Sequence, residues 1–411
     1  MTAFAETHTI SMKLTISMRR AVWFSSLVSA LWVAGQGCNR GNADSGNISP
    51  GITIEQSRMG AVYEQIAKAM TSAPPRGMKG GGVAGVLGGV RAKVLTAGAH
   101  EVLLSLPQLT ETQIPLCYAI ATTPREAGTQ YRLRQRAGSN IVVSVQLNGS
   151  QGQEVQINWS ALILLVDKPG SPDGSPAEPY LRETACVQSG DKRVKALADR
   201  LWPVGGKIGE YAGAIQEFIR SMKQEKQPCS MDALGILESG GNWICTANAN
   251  LAAALLRAKN IPCRSIAVVP TTGSRLEMHR IVEYFDAGQW SSFDPSSLQK
   301  SIPLKPWQNI IMARTTIADE ELAMKPRMCS SLGCPYAQEI EFLDGGVSLW
   351  GNDFFWTMGK PLAEFGASDK AIVLVKNEWN RFLGSGELSQ AQLRLATATN
   401  AAGFLEALET K

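Results

Sequence analysis

A chain of 411 residues, 44% hydrophobic and 18% charged, has the composition of a globular protein and is long enough for two folded units. Its formal charge of +4 is spread thinly, with no Lys/Arg-rich run and no interleaved aromatics, which argues against nucleic acid as a partner.

At the N-terminus Arg19 and Arg20 precede an apolar run over residues 21–34, followed by small residues and Cys38. This is the layout of a signal peptide over residues 1–38, and the run is shorter than the ~20 apolar residues a membrane span needs. The stretch Gly35, Gln36, Gly37, Cys38 is similar to a bacterial lipobox, with Gly35 where a branched aliphatic residue is usual. Two outcomes stay open: cleavage before Cys38 with membrane attachment through a lipid on its sulfur, or ordinary cleavage near Gly35. Either predicts an exported protein of the cell envelope or periplasm, or a secreted one.

Residues 39–90 are rich in Gly, Ser, Asn and Pro and read as a flexible linker, with a short helix near residues 55–70. Over residues 91–185, alternating runs at 102–106, 141–147 and 155–166, with turn signals at Asn148-Gly149 and Pro169-Gly170, predict an antiparallel β domain. The period then becomes helical. Val194, Leu197, Ala198 and Leu201 share one face, Ile215, Phe218, Ile219 and Met222 another, and a third helix over residues 231–238 runs into a Ser-Gly-Gly turn. Helices followed by strands without βαβ alternation mark an α+β core over residues 186–300. Residues 301–411 read as a C-terminal extension with helices near 370–382 and 389–397.

The chemistry-bearing residues fall in that core. Cys245 opens a helix with Leu251, Ala254, Leu255 and Ala258 on its predicted buried face, and Asn260 and Pro262 stop it. A thiol in the first helical turn meets unpaired N–H groups and the positive end of the helix dipole, which favour the thiolate. After a strand over residues 265–269, His279 opens a second strand, residues 286–289 turn tightly, residues 290–293 return antiparallel, and Asp294-Pro295 ends the hairpin. Side-chain alternation puts His279 and Asp294 on one face if the turn pairs Phe285 with a residue two or three further on, at about 5 to 8 Å. Thiol, base and a group orienting the base are what nucleophilic catalysis needs, so Cys245, His279 and Asp294 are the candidate catalytic residues. Of the three histidines, His8 lies in the signal and His100 in the β domain, which leaves His279 as the base.

The stretch from Cys245 through Leu255-Leu256-Arg257-Ala258 to Ile261-Pro262-Cys263-Arg264 resembles the cysteine helix and following strand of the transglutaminase-like superfamily. Residues 279–294, with Val282-Glu283 and Trp290 in matching places, resemble its histidine and aspartate hairpin. Trp243 stands where glycine is frequent, Arg280-Ile281 replaces a small-aromatic pair, and Asn260 replaces a common glycine. The resemblance implies an α+β, papain-like transglutaminase core, helices on an antiparallel sheet, behind the β domain. It also implies thiol-dependent acyl transfer on glutamine carboxamides or peptide amides through a Cys245 thioester, with a protein or peptide as substrate and no cofactor or metal required. A cysteine peptidase or amidase on the same core, and a non-catalytic envelope scaffold, stay open. Trp243 reads either as an oxyanion donor or as an aromatic wall, and Glu283 shares His279's face without being placed among the catalytic residues. Cys117, Cys186, Cys229, Cys263, Cys329 and Cys334 would allow up to three disulfides, and zinc at Cys329 and Cys334 lacks a second ligand pair.

Overall fold

The computed structural model describes residues 52–54, 80, 82–110, 112–135, 140–165, 177–224, 231–242, 244–271, 278–297, 302–317, 320, 336–337 and 339–350. The amino-terminal part is built of strands: β1 (Ile52–Ile54), β2 (Gly82–Val94), β3 (Gly98–Ser105), β4 (Gln113–Thr123), β5 (Gly128–Gln135), β6 (Ile141–Gly149) and β7 (Glu154–Leu165). Then come α1 (Lys192–Leu201), α2 (Ile208–Ser221), β8 (Lys223–Gln224), α3 (Ala233–Ser239), β9 (Gly241–Asn242) and α4 (Cys245–Ala258). Strands β10 (Cys263–Pro270), β11 (His279–Asp286), β12 (Gln289–Phe293) and β13 (Asn309–Arg314) follow, and β14 (Tyr336–Ala337) and β15 (Ile340–Trp350) close the described chain.

Two antiparallel sheets, ordered β1-β5-β6-β3-β14 and β15-β2-β7-β4, share one apolar core that includes Val102, Val143 and Val145 from the first and Val86, Ile120 and Ile157 from the second. Two expectations need correction here. Residues 82–90, read from their glycines as linker, form most of β2, which pairs with β7 from Gly82↔Leu165 to Lys93↔Glu154. Close approach explains at least one of those glycines, since a Cβ on Gly88 would collide with the Trp159 ring. Residues 301–411 are not simply an appended extension either, because β13 joins the sheet of the core while β14 and β15 return to the sandwich. The helices expected near 55–70, 370–382 and 389–397, the signal-like run and Cys38 lie outside the described residues. Among the described residues no helix is long and apolar enough to cross a membrane.

The second unit is a sheet ordered β12-β11-β10-β13 with helices against it. Asp191 caps α1 by accepting from the Arg193 N–H, and α1 buries Val194, Leu197 and Ala198. Helix α2 buries Ile215 and Ile219 with Tyr211 and Ala212. Helix α4 departs from the expected single apolar face: every residue from Ala247 to Arg257 is buried. Alanines at 247, 249, 252, 253 and 254 let neighbours approach from all sides, as befits a helix at the centre of a core. It ends as expected, with Asn260 in the left-handed region at φ 57° and the Ile261 N–H donating back to the Leu256 carbonyl.

At its C-terminal end α4 carries a buried ion pair. The Arg257 guanidinium binds Glu320 through two bonds of 2.8 Å and also donates to the carbonyls of Arg182, at 2.8 Å, and Cys263, at 2.7 Å. With side-chain exposures of 0% and 2%, the two charges depend on each other. Removing one partner leaves a buried charge uncompensated, so Glu320→Ala is expected to cost about 3 to 5 kcal/mol in urea unfolding, and Arg257→Met with Glu320→Leu much less than the sum of the single changes.

The outer edge of β13 meets the sandwich through side-chain amides. Gln113 accepts from the Ile311 N–H at 2.7 Å and donates to the Ile311 carbonyl at 2.8 Å; Gln108 donates to the Met312 carbonyl at 2.9 Å; Asn140 brackets the N–H and carbonyl of Arg314, both at 2.8 Å. Backbone groups that a sheet edge leaves unpaired are thereby satisfied. Ala267, Val269, Ile310 and Met312 also enter the sandwich core, so the core sheet and the sandwich are packed as well as hydrogen-bonded. Gln113→Ala, which takes the side-chain acceptor from the Ile311 N–H while the Ile311 carbonyl keeps its bond from the Gln108 N–H, is expected to lower unfolding free energy by about 1 to 3 kcal/mol in a denaturant titration.

Candidate active site

Cys245 is the first residue of α4, after an extended Ile244 that contributes no side-chain cap. The preceding turn is set by Gly240 at φ 63°, a conformation glycine adopts without strain, and by the parallel pairing of β8 with β9. The thiol is half-buried and free.

His279 opens β11 and Asp294 follows β12 by one residue. The hairpin register corrects the expected turn pairing: Phe285 pairs with Trp290 and Asp286 with Gln289, around Ala287 and Gly288 at φ 49° and 83°. A two-residue turn with both φ positive matches the twist of the strands it joins. Continued by one step past Val282↔Phe293, this register sets Asp294 opposite Ile281, on the face His279 shares. His279 Nε2 lies 2.8 Å from Asp294 Oδ2. The imidazole and the Cys245 thiol are neighbours that shift each other's pKa, the thiol downward and the imidazole upward.

The Asp294 carboxylate is held on its second oxygen as well, Oδ1 accepting the Ser296 N–H at 2.8 Å. Its carbonyl accepts from Gln216 Nε2 on α2, again at 2.8 Å. With side-chain exposures of 22% and 17%, His279 and Asp294 are mostly but not fully enclosed. Cys245, His279 and Asp294, separated by up to 49 positions in the chain, thus form one contact cluster.

Burial pushes the Cys245 thiol up, but its hydrogen bond to His279, the imidazolium charge, the backbone N–H of Arg280 and the Arg280 charge outweigh it and hold the thiol below its ordinary value. Burial likewise pushes His279 down, and is outweighed by the hydrogen bonds and charges of Asp294 and Cys245, which raise it to about 10. The pair therefore favours thiolate and imidazolium at neutral pH. Cys263 behaves oppositely. Full burial, only partly offset by Arg257, drives its thiol to about 12, and it donates to the Ala253 carbonyl at 3.3 Å as a free thiol, not in the disulfide allowed for it.

Other candidates resolve differently. Glu283 is 5% exposed and paired with Arg264 at 2.7 Å and Arg314 at 3.4 Å, an internal ion pair. Arg264 also lies over the Trp290 ring, 4.0 Å from its centroid. His100 is on β3, its Nε2 2.7 Å from the Thr96 carbonyl. Trp243, Cys229, Cys329, Cys334 and the side chain of Cys117 lie outside what is described. Among the described residues no group of three or more His, Cys, Asp or Glu could hold a metal ion. Sequence reasoning missed Gln216, Asn248 and Ser296; the signal available for Gln216 was a polar residue beside Ile215 on an apolar helix face.

Residues 195–295 match the family model of the transglutaminase-like superfamily. Over that stretch the chain is similar to the superfamily. A solved chain from Cytophaga hutchinsonii, described as a candidate cysteine protease, is similar in fold with 14% identity and a TM-score of 0.50, covering 66% of this chain and 91% of its own. Another, a candidate protease from Parabacteroides distasonis ATCC 8503, shares 14% identity over 51% of this chain and 43% of its own, with a TM-score of 0.24. No curated protein matches. The chain thus resembles the Cytophaga protein in fold, with helices and antiparallel strands behind an amino-terminal set of strands.

The raised pKa of His279 carries a stability signature. A histidine at about 10 folded and 6.5 unfolded contributes stability that is complete below 6.5 and lost as pH rises through 10. Asp294→Asn removes part of that contribution, so the fall in Tm between about pH 6 and pH 10 is expected to be shallower than in the unaltered protein, as read by differential scanning calorimetry.

Proposed function

We propose that this is an exported thiol enzyme that cleaves or exchanges amide bonds of protein or peptide substrates through a Cys245 thioester. One observation carries the reading: a single imidazole bonded on Nε2 to a carboxylate and hydrogen-bonded to a thiol at a helix start. The Cys245 thiolate adds to the carbonyl carbon, and the oxyanion that forms is favoured by the N–H groups of the first turn of α4. His279 gives its proton to the departing amine as the C–N bond breaks, leaving a thioester. Asp294 keeps the ring oriented and stabilises its charged form. Water or an amine then attacks the thioester, His279 takes the attacking group's proton, and the thiolate returns.

With an amine as acceptor and a glutamine side chain as donor, the product is a crosslink; with water, it is a deamidated or cleaved chain. The fold likeness to a candidate cysteine protease supports hydrolysis. The decisive experiment incubates a glutamine-containing peptide with the protein and a primary amine and follows products by mass spectrometry. Cleavage or deamidation is expected, lost by about a thousandfold or more in Cys245→Ala and in His279→Ala. Amine adducts would instead make the enzyme a transferase, and the absence of any Cys245-dependent product would leave a scaffold. Export with a lipid on Cys38 is part of the same proposal, checked by incorporation of labelled fatty acid that Cys38→Ala abolishes.

A further inference from the structure

Helix α4 contains a buried amide that packing does not explain. Asn248 is 2% exposed, lies between Ala247 and Ala249, and belongs to a residue type that weakens a helix interior relative to alanine. It stands one turn beyond Cys245, so the two side chains share a face. Its Nδ2 donates to Ser296 Oγ at 2.9 Å. The Ser296 N–H donates to Asp294 Oδ1 at 2.8 Å, and Asp294 Oδ2 holds His279, which returns to Cys245. The contacts close a ring running from the cysteine helix through the turn after β12 to the imidazole and back to the thiol.

We infer that Asn248 and Ser296 are positioning residues that latch the cysteine helix to the aspartate turn and thereby set the contact between Cys245 and His279. The inference rests on the proposed role of those residues. A histidine on a hairpin and a cysteine on a helix belong to elements that can slide against each other, and a bond of fixed length beside the reacting pair removes that freedom. The charges acting on the thiol are His279 and Arg280, and those acting on the imidazole are Asp294 and the thiol, so the latch acts only through geometry.

The test is the rate of Cys245 alkylation by iodoacetamide in the full chain, measured from about pH 4 to pH 10, with circular dichroism to check folding. Asn248→Ala and Ser296→Ala are each expected to slow alkylation about tenfold near pH 6 and to move the acid limb to higher pH, while the alkaline rate stays unchanged. Ser296→Thr, which keeps the hydroxyl, restores the profile, and the double alanine variant is no slower than either single one. Profiles unaltered by both alanine changes would overturn the latch, even with a lowered melting temperature; Asp294→Asn still abolishing low-pH reactivity would then leave the catalytic reading standing. An unaltered protein whose Cys245 shows no low-pH reactivity would sink both.

Discussion

Everything else in the core is arranged around the burial of α4 from Ala247 to Arg257. A helix surrounded on all sides cannot rotate or shift without disturbing several neighbours at once, because protein interiors are close-packed. Both ends of this one are consequently fixed points. Its first residue presents a thiol where the strands β11 and β12 place an imidazole and a carboxylate. Its last turn carries Arg257, whose bonds reach Glu320, Arg182 and Cys263 and draw separate stretches of chain against the helix. The alanines that make such burial feasible leave the helix little side-chain packing of its own, and the polar exceptions, Asn248, Asn250 and Arg257, all spend their bonds on neighbouring segments.

The two thiols of this neighbourhood show how environment decides chemistry. Cys245 and Cys263 lie eighteen positions apart on successive elements, α4 and β10. One faces an imidazole, an N–H and a guanidinium; the other is fully enclosed, donates to a carbonyl, and has the Arg257 charge beside it offset by that of Glu320. The first is held down towards the thiolate and the second is pushed up out of range, with identical side chains.

Much of the core could be read from the chain because its signals are local. The period of Val194, Leu197 and Ala198, the αL residue Asn260, and the tight turn between residues 286 and 289 each depend on a few neighbouring residues, and the elements appear where expected. That His279 and Asp294 face each other was legible because strand alternation transmits facing over short distances, although the turn pairing behind it was misjudged. What was illegible is non-local. Glycines at 82–90 resemble a linker until β7 and β15 lie beside them, and nothing near Asn309 or Ile340 announces that one strand will complete the core sheet while the other returns to the sandwich. Ser296 and Gln216 acquire their roles only from groups brought close by tertiary packing.

The amide clamp on β13 has a further consequence for the order in which the chain can fold. Gln113 and Ile311 are 198 positions apart, and Gln108 and Met312 are 204 apart, so the closing of the core sheet waits on a long loop. Strands β1 to β7 leave the ribosome first, so Gln108, Gln113 at the start of β4 and Asn140 before β6 are all in place before β13 has been made. A chain that emerges in this direction meets a ready edge. The amino-terminal strands thus act as an internal template for the last strand of the core, a role in assembly that is finished before any substrate arrives.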